Sequence, residues 1–450
     1  MSTHPHPGLP PEGEGENGAK CGGQQDARPD PDLLPGAAES GSSAPLARYA
    51  DRSARWSVIA LGFSIPISVA LDNVLLALAL AGWIASGDYK NKILIIKDNY
   101  VSIAALALFA LLLAGTAYGD RGAGDAANYL GKYLDLLFIP VFLFLFRDVA
   151  TRRHALYAFV ASMSMVLLLS YLTKAGVVPK NPFTLGNADY PVVFKLHLTH
   201  NILMAYAAFL FTSLALTALS PKIRLGWAIL AVLAVLNVTM MVQGATGYLV
   251  FFGLALLVGF DRYGWRGLGL AAVLIALFAG ALTLVPGPFR ERVDLIMKET
   301  EGWRIDRPAR TSAGLRLEFY RNTLAIIADH PVIGVGTGGL PKAYAGKTQG
   351  TGVTETRNPH NEFLNITVQI GLIGLAALLI LFYLQWRCAA RLVSPFERHL
   401  ARGLVLTMVI GCMFNSLLLD HTEGLLYAWL TGLLYAGLKY PPPEDATLPR

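Results

Sequence analysis

The stretch "RNPHNEFLNITVQIGLIGLAALLILFYLQWR", Arg357 to Arg387, puts His360 at the lip of a long apolar run. Asn358 suits an N-cap and Pro359 the first helical position, which places His360 in the first turn of a helix. The positive end of the helix dipole disfavours imidazolium there. A neutral imidazole is what a general base needs. A capping histidine packed beneath the preceding loop fits the same spacing. Asn361, Asn365 and Gln369 recur every four residues and give the helix one polar stripe.

Other ionisable residues gather at the ends of apolar runs. Arg316 and Arg321 lie on a stretch with helical spacing, and planar guanidinium groups suit a diphosphate; a solvated helix face is the alternative. Lys132 and Asp135 stand one turn apart, as an intrahelical ion pair or a phosphate contact. His200 and Asn201 open one apolar run. Asp420, His421 and Glu423 fall in a loop and lack a full metal-ligand set, so that loop is expected to line a site. No metal site is expected.

The elements that must hold these residues are membrane helices. Of the 450 residues, 54% are hydrophobic and only 15% are charged, against about a quarter charged in soluble domains. Apolar segments fall at about 56–70, 72–86, 100–117, 126–146, 154–172, 197–219, 225–243, 246–260, 267–285, 359–385, 400–419 and 423–439. The fold class expected is an all-α polytopic membrane protein of about twelve transmembrane helices. Lys and Arg cluster in alternate short loops (Arg52 and Arg55, Lys90 to Lys97, Arg147 to Arg153, Lys222 and Arg224, Arg262 and Arg266, Arg387 to Arg398). The positive-inside rule makes that side cytoplasmic, with both termini inside. The net charge of +6 therefore implies no nucleic-acid partner. The polar residues above all fall at the opposite, outer end.

Four regions follow. Residues 1–50, rich in Pro, Gly, Ser and Glu, are expected to form a disordered cytoplasmic tail, with no signal peptide. Helices 1–9 span 55–285. A mostly helical periplasmic segment, 286–358, separates spans nine and ten. Helices 10–12 span 359–440, and 441–450 form a second cytoplasmic tail. Within the periplasmic segment Leu317, Tyr320, Leu324 and Ile327 recur at helical spacing, and His330–Pro331 ends that helix. The glycines from Gly334 to Gly339 read as a turn rather than a phosphate cradle, since no GK[ST] follows. The three cysteines show no ligand spacing. Transporters bind near the midplane; a polar layer on one face suits instead a substrate whose head group is outside and whose tail is in lipid.

The stretches "KYLDLLFIPVF" from Lys132, "FKLHLTHNILMAYAAFL" from Phe194, "GLRLEFYRNTLAIIADHPVIGVGTGG" from Gly314 and "NPHNEFLNITVQIGLIGL" from Asn358 resemble bacterial O-antigen ligases of the WaaL type. The resemblance runs from about residue 55 to 440. It implies a glycosyltransferase completing lipopolysaccharide at the periplasmic face of the bacterial inner membrane. O-antigen would pass from undecaprenyl diphosphate to lipid A–core, with membrane lipids as the remaining partner and no nucleotide cofactor or metal. His360 matches the family's essential histidine and Arg316 its loop arginine. Lys132, Arg321, His200, Asn201 and Asn361 are then candidates for holding the diphosphate or the substrate. Relatives usually carry an arginine before "TGYL"; this chain has Ala245 there, so Ala245→Arg is expected to raise transfer. An O-oligosaccharyltransferase or polymerase of the same superfamily, or a lipid-linked sugar flippase, is the alternative.

Overall fold

A computed structural model describes residues 45–122, 124–178, 185–304 and 308–438. Most of the expected 1–50 tail and all of the 441–450 tail lie outside them; residues 45–50 already belong to a helix. The described residues form sixteen α-helices. The first seven are α1 (Pro45–Ser64), α2 (Val69–Ala85), α3 (Tyr89–Asp98), α4 (Tyr100–Ala114), α5 (Asp125–Lys132), α6 (Asp135–Leu145) and α7 (Val149–Lys174). Next come α8 (His197–Thr217), α9 (Pro221–Leu236) and α10 (Ala245–Leu284). Then α11 (Pro288–Glu301), α12 (Ser312–Asp329) and α13 (Leu340–Thr348) precede α14 (Glu362–Ala389), α15 (Pro395–Phe414) and α16 (His421–Tyr435).

All twelve expected apolar segments fall on helices. By length and hydropathy, however, seven helices among the described residues qualify as spans, or eight if α2 and α3, bent by 113°, count as one. The shortfall has physical causes. α1 carries Arg48, Asp51, Arg52 and Arg55, α15 carries Glu397, Arg398 and Arg402, and α16 has 15 residues. Two expected spans merge in α10. Gly264 there takes φ 60° and ψ −144°. A Cβ on Gly259 would lie 2.6 Å from the Gly267 carbonyl oxygen and 2.8 Å from Ala271 Cβ. Residues eight apart in a straight helix are about 12 Å apart, so α10 is a helical hairpin folded at Gly264.

α16 is the centre. Every residue from Thr422 to Tyr435 is buried, as expected of a helix that is apolar all round. It packs against α6, α15 and α7. Trp429 fills the space beside Gly62 and donates its indole N–H to the Val58 carbonyl at 2.8 Å. The outside is equally apolar. Ile223, Leu225, Ile229 and Val232 on α9, and Leu270, Val273, Leu274 and Leu277 on α10, are all more than half exposed except Ile229, which is at 50%. So large an exposed apolar belt belongs in lipid. The chain is an integral membrane protein.

Two breaks set the outer end of the bundle. The expected fourth span is interrupted at Tyr133, so Lys132 and Asp135 lie on separate helices and form no ion pair with each other. α14 is kinked at Ile370 and Gly371. The kink frees the carbonyls of Val368 and Gln369, which accept the N–H groups of Val335 and Gly336 at 2.9 Å each. The Gly-rich turn thus plugs the kink. Thr337 N–H goes to the Gly115 carbonyl and Gly338 N–H to Gln369 Oε1. With those donors consumed, the turn is structural, as its sequence suggested.

α12 ends at Asp329, as His330–Pro331 implied. Its buried face differs from the expected Leu317, Tyr320, Leu324 and Ile327 stripe. Phe319, Asn322, Thr323 and Ile326 are buried, whereas Leu324 is 53% exposed. The reason is its partner: α12 packs on α13 and on Val368 of α14, which reach it from that side.

Candidate active site

His360 is not in the first turn of a helix. Asn361, rather than Asn358, is the N-cap of α14, and its Oδ1 accepts the Leu364 N–H at 3.0 Å. His360 stands just before it with φ 55°, in the left-handed region that histidine enters more readily than bulkier residues. Asn358 holds it there. Its Oδ1 accepts the His360 N–H at 2.8 Å and the Ser416 hydroxyl at 2.7 Å. Asn361 Nδ2 donates to the Met413 carbonyl at 2.9 Å, so both asparagines tie this loop to the end of α15.

α12 supplies the facing side. Arg316, Phe319 and Tyr320 share one helix face by their three- and four-residue spacing. The Phe319 ring stacks near the imidazole, 6.2 Å between centroids and 27° between planes. Tyr320 donates to the His360 carbonyl at 3.2 Å. The His360 ring nitrogens take no hydrogen bond from the described residues. Burial holds the imidazole below its usual value of 6.5, and the Arg316 charge lowers it further. Burial and the arginine, rather than a helix dipole, thus favour the neutral form of His360. Arg316 is half-buried and makes no hydrogen bond or ion pair with the described residues.

Behind His360 stands a polar wall. Glu362 is fully buried. Its carboxylate accepts the Tyr133 hydroxyl at 2.7 Å and the Leu418 N–H at 3.0 Å. Asn365 Nδ2 donates to the same Tyr133 oxygen at 2.7 Å. A cavity of about 450 Å³ is lined by Asn73, Lys132, Asp135, Phe138, Asp420 and His421 among others. Lys132 lines this cavity and His360 does not. The Lys132 charge acts on Asp420, whose carboxyl burial pushes up. Among the described residues no three His, Cys, Asp or Glu side chains converge as metal ligands.

The remaining candidates lie apart. Arg321, five residues past Arg316, is turned toward Asn322 and Tyr344, on the α13 side. His200 and Asn201 are buried. His200 Nε2 pairs with Asn237 Oδ1 at 3.0 Å, and Asn201 Nδ2 donates to the Val242 carbonyl at 3.0 Å. Asn201 also packs beneath Gly244 and Gly247. Both residues brace the turn that carries Ala245, the first residue of α10. Sequence reasoning missed Tyr320 as a tether, and missed Tyr133 and Glu362 as a wall. Their partners lie 40 to 229 residues away along the chain, which no local pattern reports.

The fold and this site define an integral membrane protein with a histidine and an arginine brought together at one rim of a helical bundle. Residues 229–379 match the O-antigen ligase family. That match covers about a third of the chain and supports placing it in the O-antigen ligase superfamily. The matched stretch contains Ala245, Arg316 and His360 and excludes Lys132 and His200. No curated protein matches the chain. Among solved structures, a chain from a study of a peptidoglycan synthase complex aligns with a TM-score of 0.44 at 17% identity, covering 77% of this chain and 98% of that one.

Proposed function

We propose that this protein is an O-antigen ligase. It moves a glycan from undecaprenyl diphosphate to a sugar hydroxyl of lipid A–core at the periplasmic face of the bacterial inner membrane. The observation that supports this reading is His360 facing the helix that carries Arg316: an imidazole with no ring hydrogen bond among the described residues, stacked near Phe319, with the Arg316 charge acting on it.

The reaction needs those two parts. The diphosphate is a good leaving group and the hydroxyl a weak nucleophile. A free ring nitrogen of His360 takes the hydroxyl proton as the acceptor oxygen bonds to the anomeric carbon. The bond from that carbon to the phosphate oxygen breaks, and undecaprenyl diphosphate departs with the bonding pair. Arg316 meets the charge that develops there. Phe319 and the tethers from Asn358 and Tyr320 fix the imidazole, so little reorganisation is needed as charge moves. Asn361 acts through the loop it caps, and Lys132 and Arg321 are weaker candidates for contacting the diphosphate. Both substrates are lipid-anchored and meet in two dimensions.

The membrane arrangement proposed is the twelve-crossing one, with α10 crossing twice through its hairpin, both termini cytoplasmic, and the 286–358 segment periplasmic. The alternating Lys and Arg loops support it. The test of function is incubation of the purified protein with undecaprenyl-diphosphate-linked glycan and lipid A–core. Glycan appearing on lipid A–core supports ligation. Growth of the lipid-linked chain alone means a polymerase, transfer to added protein an O-oligosaccharyltransferase, and movement of donor across a vesicle without transfer a flippase.

A further inference from the structure

α11 carries an arginine that the mechanism has not used. Phe289 anchors that helix to α10: its ring lies 5.0 Å from Tyr248 and 6.2 Å from Phe252. Gln243 donates to Glu291 at 2.8 Å, pinning α11 over the turn before α10. At the other end, Glu299 accepts the Ala313 N–H at 2.7 Å, which ties α11 to the start of α12. Arg292 is one turn past Phe289, so it shares the inward face between these two anchors. It is half-buried and has no hydrogen bond or ion pair with the described residues.

α11 packs on both α10 and α12, and nearby the Tyr190 and His197 rings lie 5.8 Å apart. Consistent with that packing, the Arg292 charge acts on Arg316, Tyr190, Tyr248 and His197. The Arg316 charge is felt at His197 and at His360. The acids felt nearby are Glu291 and Glu299, and both already accept a hydrogen bond. Two half-buried guanidinium groups repel each other unless an anion lies between them. Beneath α11, position 245 offers only a methyl group.

We infer that Arg292 and Arg316 form one two-guanidinium site for a diphosphate, with Arg292 as the second cation of the clamp and His197 and Tyr190 at its edge. The inference rests on the transferase reading above, and it names a residue of that site. A diphosphate has enough charge and oxygens for two bidentate contacts. Its source is the lipid-linked donor or a free diphosphate, and both share the chemistry that the pair recognises.

The experiment measures binding directly, on the full chain in nanodiscs, with undecaprenyl diphosphate, undecaprenol and inorganic diphosphate as probes. Arg292→Gln is expected to bind undecaprenyl diphosphate about tenfold more weakly, with undecaprenol binding unchanged. Arg292→Lys should fall between, and Arg290→Gln, whose native side chain pairs with Asp294 on the solvent side, should match wild type. Inorganic diphosphate that competes with the lipid in wild type identifies the head group as what is read; a failure to compete, with Arg292 still required, assigns the site to the lipid form. Melting temperatures check that the variants fold, and Arg292→Lys keeps the test open if Arg292→Gln does not. Undiminished binding in Arg292→Gln alongside full transfer overturns the inference and leaves the ligase standing. Diphosphate binding that needs Arg292, in a protein that transfers no glycan, removes the ligase reading and leaves the site.

Discussion

The hydroxyl of Tyr320 donates to the backbone carbonyl of His360 at 3.2 Å. This bond joins the helix that carries Arg316 to the loop that carries the proposed base. A second, longer contact from the same hydroxyl to the Met413 carbonyl, 3.4 Å, adds the end of α15. Tyr320→Phe keeps the ring and removes the tether. A net hydrogen bond is worth about 1 kcal/mol, or roughly fivefold. Turnover is expected to fall by about that factor while undecaprenyl diphosphate binding holds, and an unchanged turnover would show the tether to be idle.

The pH profile follows from the two causes acting on His360. Burial and Arg316 both hold its pKa below 6.5. A base acts in its neutral form, which dominates above its pKa. The acid limb of transfer should therefore lie at lower pH than that of an ordinary histidine. Arg316→Gln removes one cause, so the acid limb of its residual activity should move to higher pH. A limb that stays put, or moves down, separates the two residues.

Glu362 is expected to matter for folding first. Glu362→Ala leaves the Tyr133 hydroxyl and the Leu418 N–H buried without their acceptor. The cost is roughly 1–3 kcal/mol. Thermal unfolding in detergent should show a clear loss of stability, whereas Glu362→Gln, which keeps one acceptor, should lose less. Equal stability for all three proteins contradicts the wall described here.

Gly336 has φ 85°, and a Cβ there would lie 3.0 Å from the Gly115 carbonyl oxygen. Gly336→Ala should lower stability and expression by disturbing the plug in the α14 kink. If that variant is stable but fails to bind diphosphate, the glycine turn reads the substrate after all.

Ala245 opens α10 beneath α11, and Tyr248 one turn on feels the Arg292 charge. An arginine there can lay its stem along the apolar rim and raise its guanidinium into the polar layer. Ala245→Arg is expected to raise transfer in the native background and to restore part of the diphosphate binding lost in Arg292→Gln. A double variant no better than Arg292→Gln alone means that position 245 does not reach the clamp.

Some of this was legible in the residues alone. Apolar run lengths locate the helices, and His330–Pro331 locates the end of α12. Type and position marked His360 as a candidate base with a capping role as its alternative, and the family resemblance selected Arg316. What was not legible depends on distant partners. Asn358 reads as the N-cap, yet Asn361 takes that place, and the loop is held by Ser416 and Met413, 58 and 52 residues away from the two asparagines. The break at Tyr133 is fixed by Glu362, 229 residues on. Arg292 has the sequence surroundings of a solvated helix face. Only the anchoring of Phe289 to α10 and of Glu291 to the turn before it turns Arg292 inward.

The central claim is that His360 takes a proton from an acceptor hydroxyl. The direct measurement is single-turnover transfer from undecaprenyl-diphosphate-linked glycan to lipid A–core by purified wild type and His360→Ala, with melting temperatures and donor binding recorded in parallel. A positioned base contributes about a hundredfold or more. A loss of at least that size is expected in His360→Ala, with folding and donor binding intact. Near-normal turnover in that variant contradicts it and leaves His360 only a structural place beneath the loop.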